Sequence, residues 1–158
     1  MTRRQRSFRE KLGNAVLVVV LLPFVLPLAL LAVTLALLHR ATLWLLVQLL
    51  WLPRGKDVLL VYSDSPIWHD YMVNEIAPLV AERAVVLNWS ERRKWHRWSL
   101  AVNVFRSYGR WREYNPMVLL FRPMGRTRVF RFWSAFQDWK HGYPEPLQRT
   151  REDLFIAL

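Results

Sequence analysis

From Ala15 to Leu38 the chain carries no charge and a single polar side chain, Thr34, and a segment with Arg3, Arg4, Arg6, Arg9 and Lys11 leads into it. At about 24 residues and 1.5 Å per residue this run is long enough to cross a hydrocarbon layer of roughly 30 Å. A cleaved signal peptide has an apolar stretch of only about 7 to 15 residues and a small-residue cleavage site. Here the chain continues through His39-Arg40 into more apolar sequence, so the run is read as retained in a membrane, behind a basic segment at 1–14. Ser7 and Glu10 have the spacing of a capping box, which starts the helix inside that basic segment.

Pro23 and Pro27 interrupt the run, and each removes a backbone donor and crowds the preceding turn. A second apolar stretch within 39–52 contains Gln48 and carries Trp44 and Trp51. Two full crossings would need about 40 residues and would leave Arg40 inside the bilayer at a cost of about 3 kcal/mol. Two arrangements are left. In one, residues 15–38 form a Pro-kinked span and 39–52 an interfacial helix, with Trp44 and Trp51 at headgroup depth. In the other, Pro23 to Pro27 is the tip of a re-entrant hairpin that returns Arg40, Arg54 and Lys56 to the side of the N-terminal arginines. Hydropathy favours the span. The basic flanks pull toward the hairpin and toward a cytoplasmic C-terminal domain.

The formal net charge is +11, about +5 before Pro53 and about +6 after it. A tethered basic surface gains roughly 1 kcal/mol per Lys or Arg near an acidic leaflet, so anionic headgroups are the first partner to expect. A protein partner is the second, and nucleic acid fits an anchored, Arg/Trp style of basicity poorly. The absence of cysteine excludes disulfides and thiolate chemistry.

After a linker at 53–57, residues 58–158 suffice for one modest basic domain. Val58 to Tyr62, Ala84 to Leu87 and Met117 to Phe121 are short apolar runs that read as buried strands, and Arg128 to Trp133 as a fourth. The first hands over to a helix at Ser65-Pro66, where Ser suits the N-cap and Pro the first turn, with Pro78 a kink near its end. Ser90 can cap a second helix, Glu91 to Tyr108. Strand, helix, strand, helix at this spacing predicts an α/β fold, a small Rossmann-like, three- to four-stranded, mostly parallel sheet with flanking helices. The short Arg122-to-Gly125 connection permits an antiparallel hairpin at one edge. Ser134 with Gln137 has the form of a capping box before Gly142. A last helix from Pro144 is expected to bury Leu147, Leu154, Phe155 and Leu158.

In the second helix Arg92, Arg93, Lys94 and Arg97 alternate with Trp95 and Trp98, which makes these residues candidates for a membrane-surface or partner contact. Trp68, Trp89, Trp111, Trp133 and Trp139 add to a total that a core of this size cannot easily hide, and Trp with Arg is the pair enriched at interfaces.

In α/β folds chemistry gathers outside the carboxyl ends of the strands. Those ends offer Ser63, Asp64 and Ser65, then Asn88 and Ser90, then Arg122, a set that could meet a phosphate or nucleotide with Asp64 as base or metal contact. The bland reading of Ser and Asp at such turns is capping, and His69 beside Asp70 is no dyad, because neighbours on a helix point about 100° apart. No glycine-rich phosphate loop, H-E-x-x-H or D-x-D is present, and Asp64 and Asp70 are poorly spaced for one ion, so no metal site and no cofactor are expected. The function these features favour is a membrane-anchored, non-enzymatic accessory or interaction module that binds a protein partner or anionic lipid through its Arg/Trp surface. The alternative is a small membrane-associated transferase or hydrolase, glycosyltransferase-like at its first strand turn, acting on a lipid-linked or nucleotide-bearing substrate.

Overall fold

The computed structural model describes residues 3–109 and 115–158, with side chains from residue 21 onward, and the apolar run is part of one helix, α1, Arg3–Leu46. Its 44 residues make about 66 Å. The helix is already formed at Arg3, so Ser7 lies within it, and it continues through Pro23 and Pro27. The chain reversal that a hairpin needs therefore does not occur at the prolines. Thr34 donates to the Leu30 carbonyl at 2.8 Å, which satisfies the one polar side chain of the run inside the helix.

The chain divides into two units, Met1–Ala41 and Thr42–Leu158. In the first unit every described side chain is exposed, Phe24 and Leu28 among them. By length and composition this helix is apolar enough to cross a membrane.

The second unit opens with the end of α1 and a π turn, Val47–Trp51, followed by a 3-10 turn, Leu52–Arg54. Pro53 has no N–H to give to Leu49, and its ring would press on that carbonyl. Widening the turn avoids the clash, with Leu52 N–H bonded to the Val47 carbonyl. Gly55, at φ +70°, then takes the left-handed position that ends the helix. Leu43 and Val47 are buried on the sheet, and Trp51 packs edge-on against Phe121 with ring centroids 5.9 Å apart. Gln48 is held at both ends of its amide: Nε2 donates to the Arg122 carbonyl at 3.0 Å and Oε1 accepts from Met124 N at 3.1 Å. Trp44 Nε1 donates to the Gly125 carbonyl at 3.3 Å. The stretch expected to lie as an interfacial helix thus turns its amphipathic stripe onto its own domain.

The sheet contains β1 (Val58–Tyr62), β2 (Ala84–Asn88), β3 (Met117–Leu120) and β4 (Arg128–Arg131) in the order β2-β1-β3-β4. Only β1 and β2 are parallel; β3 runs against β1, and β4 against β3. Four strands and the edge hairpin match expectation, but the sheet is mixed rather than mostly parallel. The cause lies in the connection after β2, which leaves the sheet beside Tyr62 and re-enters it beside Val61, at the same end. A straight helix from Glu91 to Tyr108 would advance about 27 Å and deliver the chain elsewhere. Instead a 3-10 turn, Trp89–Lys94, gives way to extended backbone at Trp95 before α4, Leu100–Tyr108.

Helices cover both faces. On one side, the residues 42–51 and α4 bury Leu59, Val61, Met117, Leu119 and Phe121. On the other, Val58, Leu60, Val118, Leu120 and Phe130 meet α2 (His69–Tyr71), a π turn (Met72–Ile76), α3 (Ala77–Val80), α5 (Phe132–Lys140) and α6 (Glu145–Ala157). The second π turn also ends two residues before a proline, Pro78, so the kink expected there is absorbed as a wider turn. Burial pushes the Tyr71 hydroxyl pKa up, with its ring 5.4 Å from that of Phe136. Asp57 binds Arg83 through both carboxylate oxygens, and that hydrogen bond raises the guanidinium pKa further. Arg83 also donates to the Leu158 carbonyl at 3.0 Å. α5 begins at Phe132, which places Ser134 inside the helix, and α6 buries Leu147 and Leu154 but leaves Phe155 66% exposed.

The Gln48 amide ties the π turn after α1 to the β3–β4 turn through two hydrogen bonds, beside the single bond from Trp44. Gln48→Leu keeps the volume and deletes two hydrogen bonds, each worth about 1 kcal/mol. Thermal unfolding of the detergent-solubilised full chain should show a loss of about 2 kcal/mol; an unchanged midpoint would remove this tie from the account.

Candidate functional site

The carboxyl ends of β1 and β2 lie side by side, Tyr62 opposite Asn88, and the residues that follow them meet. Asn88 is extended at the start of the 3-10 turn and caps it: its Oδ1 accepts from Ser90 N at 2.9 Å. Its Nδ2 donates to Asp64 Oδ1 at 2.8 Å, and the Ser90 hydroxyl accepts from Asp64 N at 2.9 Å. The cap role expected of Ser90 therefore belongs to Asn88. Beneath them Ser63 is buried; its hydroxyl donates to Asn115 Oδ1 at 2.9 Å and accepts from Trp68 Nε1 at 3.0 Å. Ser65 Oγ accepts from Ile67 N at 3.4 Å, a loose cap over the turn that leads into α2.

Of the residues singled out from the sequence at strand ends, Ser63, Asp64, Ser65, Asn88 and Ser90 are brought together, and Arg122 is not. Because β3 runs antiparallel, its last residue pairs with Val58, and Arg122 follows at the opposite end of the sheet, its guanidinium 3.4 Å from the Ala157 carbonyl. Asp64 and Arg122 thus lie at opposite ends of β1. His69 takes the place that Arg122 leaves: its Nδ1 is 3.6 Å from Asp64 Oδ1, and its ring centroid is 5.8 Å from that of Tyr62. That separation is too long for a hydrogen bond, and Nδ1 is buried without a hydrogen-bond partner. The five-residue step from Asp64 to His69 across a strand-to-helix turn was the available signal. Asn115, 52 positions from Ser63, offered none.

Chemically, this cluster is a closed circuit. Asp64, Asn88 and Ser90 are hydrogen-bonded to one another in a ring that ties the start of the turn after β1 to that after β2. Among the described residues no group of three or more His, Asp or Glu side chains gathers where it could hold a metal ion.

The basic segment is arranged differently. Trp89 and Trp95 are half-buried and stand edge to face against each other, centroids 5.5 Å apart, and against Phe105 of α4 at 5.5 and 5.8 Å. Arg92 lies over Trp89 at 5.4 Å. Lys94 pairs with Glu91 at 2.7 Å, and that hydrogen bond raises the ammonium pKa. Arg93 and Arg97 are exposed, and Trp98, 78% exposed, has the Arg97 guanidinium 5.8 Å from its ring centre. Trp139 is also exposed, Trp68 and Trp133 are half-buried, and Trp111 lies outside the described residues. Trp44 and Trp51, expected as bilayer anchors, are spent on the Gly125 carbonyl and Phe121, and Pro23 and Pro27 sit within α1. Comparison with protein-family models, with characterised proteins and with solved structures found no significant match.

Ser63 separates a structural cluster from a decorative one. Ser63→Ala strands a half-buried indole N–H and an amide oxygen, at a cost of about 1 to 3 kcal/mol. A drop in unfolding midpoint of the full chain, with Asp64→Asn nearly neutral beside it, is the expected result; equal effects would contradict this division.

Proposed function

We propose that this chain is a membrane-anchored α/β module that acts by interaction, with the Arg92–Trp98 segment as its contact surface and acidic phospholipid headgroups as its ligand. The single observation that carries this reading is Trp98: a large aromatic side chain, 78% exposed, among exposed Arg92, Arg93 and Arg97. Among the described residues none of those three arginines forms an ion pair. An indole with guanidiniums beside it suits the zone where acyl chains give way to phosphates. The exposed apolar side chains from Leu21 to Leu38 support an anchor, since a contiguous surface of that size in water would associate.

Continuity of the helix supports a single crossing. A helix that crosses once has its flanks on opposite faces, and the five basic residues from Arg3 to Lys11 outnumber Arg40, Arg54 and Lys56. The positive-inside preference then keeps the N-terminus in the cytoplasm and puts the domain across the bilayer. A hairpin would support the opposite, cytoplasmic placement. Protease added outside sealed, right-side-out vesicles should digest the domain; full protection would restore the cytoplasmic placement.

The chain has no cysteine, so a fluorophore on Ser99→Cys reports one place only. In nanodiscs of phosphatidylglycerol its emission should shift to the blue relative to phosphatidylcholine. The double substitution Arg93→Ala/Arg97→Ala should weaken the bound state about 30-fold, at roughly 1 kcal/mol per charge. Identical spectra in both lipids would reject the lipid surface and leave an acidic protein as the partner to seek.

A further inference from the structure

Behind the exposed segment lies a groove of ≈ 290 Å³ between the 3-10 turn and α4, lined by Trp89, Trp95 and Phe105 and bounded by Arg92 and Arg106. Phe105 is fully buried and makes the floor; Trp89 and Trp95 are half-buried walls; both arginines are exposed. The three rings meet edge to face, at 5.5, 5.5 and 5.8 Å, and the two half-buried indoles carry the part of this aromatic wall that reaches the opening. Arg92 is parked on this rim by the Trp89 ring and by the Trp89 carbonyl, 3.4 Å from its NH1. The neighbouring acid, Glu91, is engaged by Lys94 at 2.7 Å and turned to that use. Arg106 approaches from the last turn of α4 and, among the described residues, forms no ion pair.

We infer that this groove binds the phosphate of an anionic phospholipid, with Arg92 and Arg106 on the phosphate oxygens and the glycerol and proximal acyl carbons against the rings. The inference rests on the membrane-anchored reading and adds to it a defined headgroup site. Charge selects the occupant: two guanidiniums without acids between them call for an anion, and their planar forks match phosphate oxygens. The aromatic lining calls for an apolar body attached to that anion, which a free inorganic ion lacks. The covalent tie to an apolar helix favours a lipid over a soluble phosphate ester, because the local concentration of lipid headgroups at an anchored domain is high.

The test uses the full chain in neutral-detergent micelles, titrated calorimetrically with dioctanoyl phosphatidylglycerol, dioctanoyl phosphatidylcholine and glycerol phosphate. Arg106→Gln and Arg92→Gln should each weaken phosphatidylglycerol binding about tenfold or more, the scale of one charge-assisted hydrogen bond. Arg149→Gln removes the same charge from the exposed face of α6 and should change it less than about twofold, a screened surface charge. Glycerol phosphate and phosphatidylcholine should both bind more weakly than phosphatidylglycerol. Equal losses from Arg106→Gln and Arg149→Gln would reduce the effect to diffuse charge and overturn the site, and glycerol phosphate binding as tightly as the lipid would overturn the lipid assignment. If Arg106→Gln leaves lipid binding intact while the Ser99→Cys emission still shifts in acidic nanodiscs, the groove falls and the surface reading stands. If binding depends on Arg106 but the emission never shifts, the groove stands without the Trp98 surface.

Discussion

Strands β1 and β3 are buried on both faces, and one of those faces is closed by the chain that immediately precedes the sheet. This two-sided burial is the constraint from which the rest of the second unit follows. Leu43 and Val47 sit over Leu59, Val61, Met117, Leu119 and Phe121, and without them a patch of sheet would meet water. The domain therefore begins at Thr42 and not at the Pro53 linker where composition changes. Gln48, which interrupts the apolar stretch, gives that packing its register by bonding both ends of its amide to the β3–β4 turn. Gly125 completes the fit: a Cβ there would come within 2.9 Å of the Arg122 Cβ, so the turn that receives Gln48 and Trp44 tolerates no side chain at its tightest point.

The two polar features of the domain divide by what their groups are bonded to. Asp64, Asn88 and Ser90 are bonded to one another at the surface, which ties two adjacent turns together above the parallel pair. The Trp89 to Trp98 stretch is inward only through its half-buried rings, and its cations are turned outward. The same ten residues thus supply part of the core and an exposed basic surface.

Much of this was legible from the residues and some was not, for reasons that can be named. β1, and the antiparallel hairpin of β3 with β4, follow from apolar runs bounded by turn residues, and their positions agree within a residue or two. The direction of β3 does not follow. Met117 to Leu120 is continuously apolar because helices cover both faces, and such a run reads as a parallel strand although an antiparallel one between two helical layers looks the same. The break at Trp95 was hidden because the Trp and Val spacing from Trp95 to Tyr108 keeps helical periodicity across it, and nothing local marks where tertiary packing interrupts it. Arg122 was misplaced by the same error in strand direction. The stretch 39–52 was read as an interfacial helix with Trp44 and Trp51 at headgroup depth, but an apolar run does not say whether lipid or its own sheet will cover it. Phe155 was placed inside by periodicity, and a quarter-turn of difference left it facing out beside Ile156.

The π turn at Val47–Trp51 adds one residue to a helical turn, and its effect is on phase. Each residue of an α-helix advances the face by about 100°. An extra residue wound as ordinary helix would turn the flanking faces by that angle; the wide turn absorbs it, so Leu43 and Val47 both stay over the sheet ahead of Pro53. The spare residue thus lets the helical segment that covers the sheet run up to a proline without giving up its packing face.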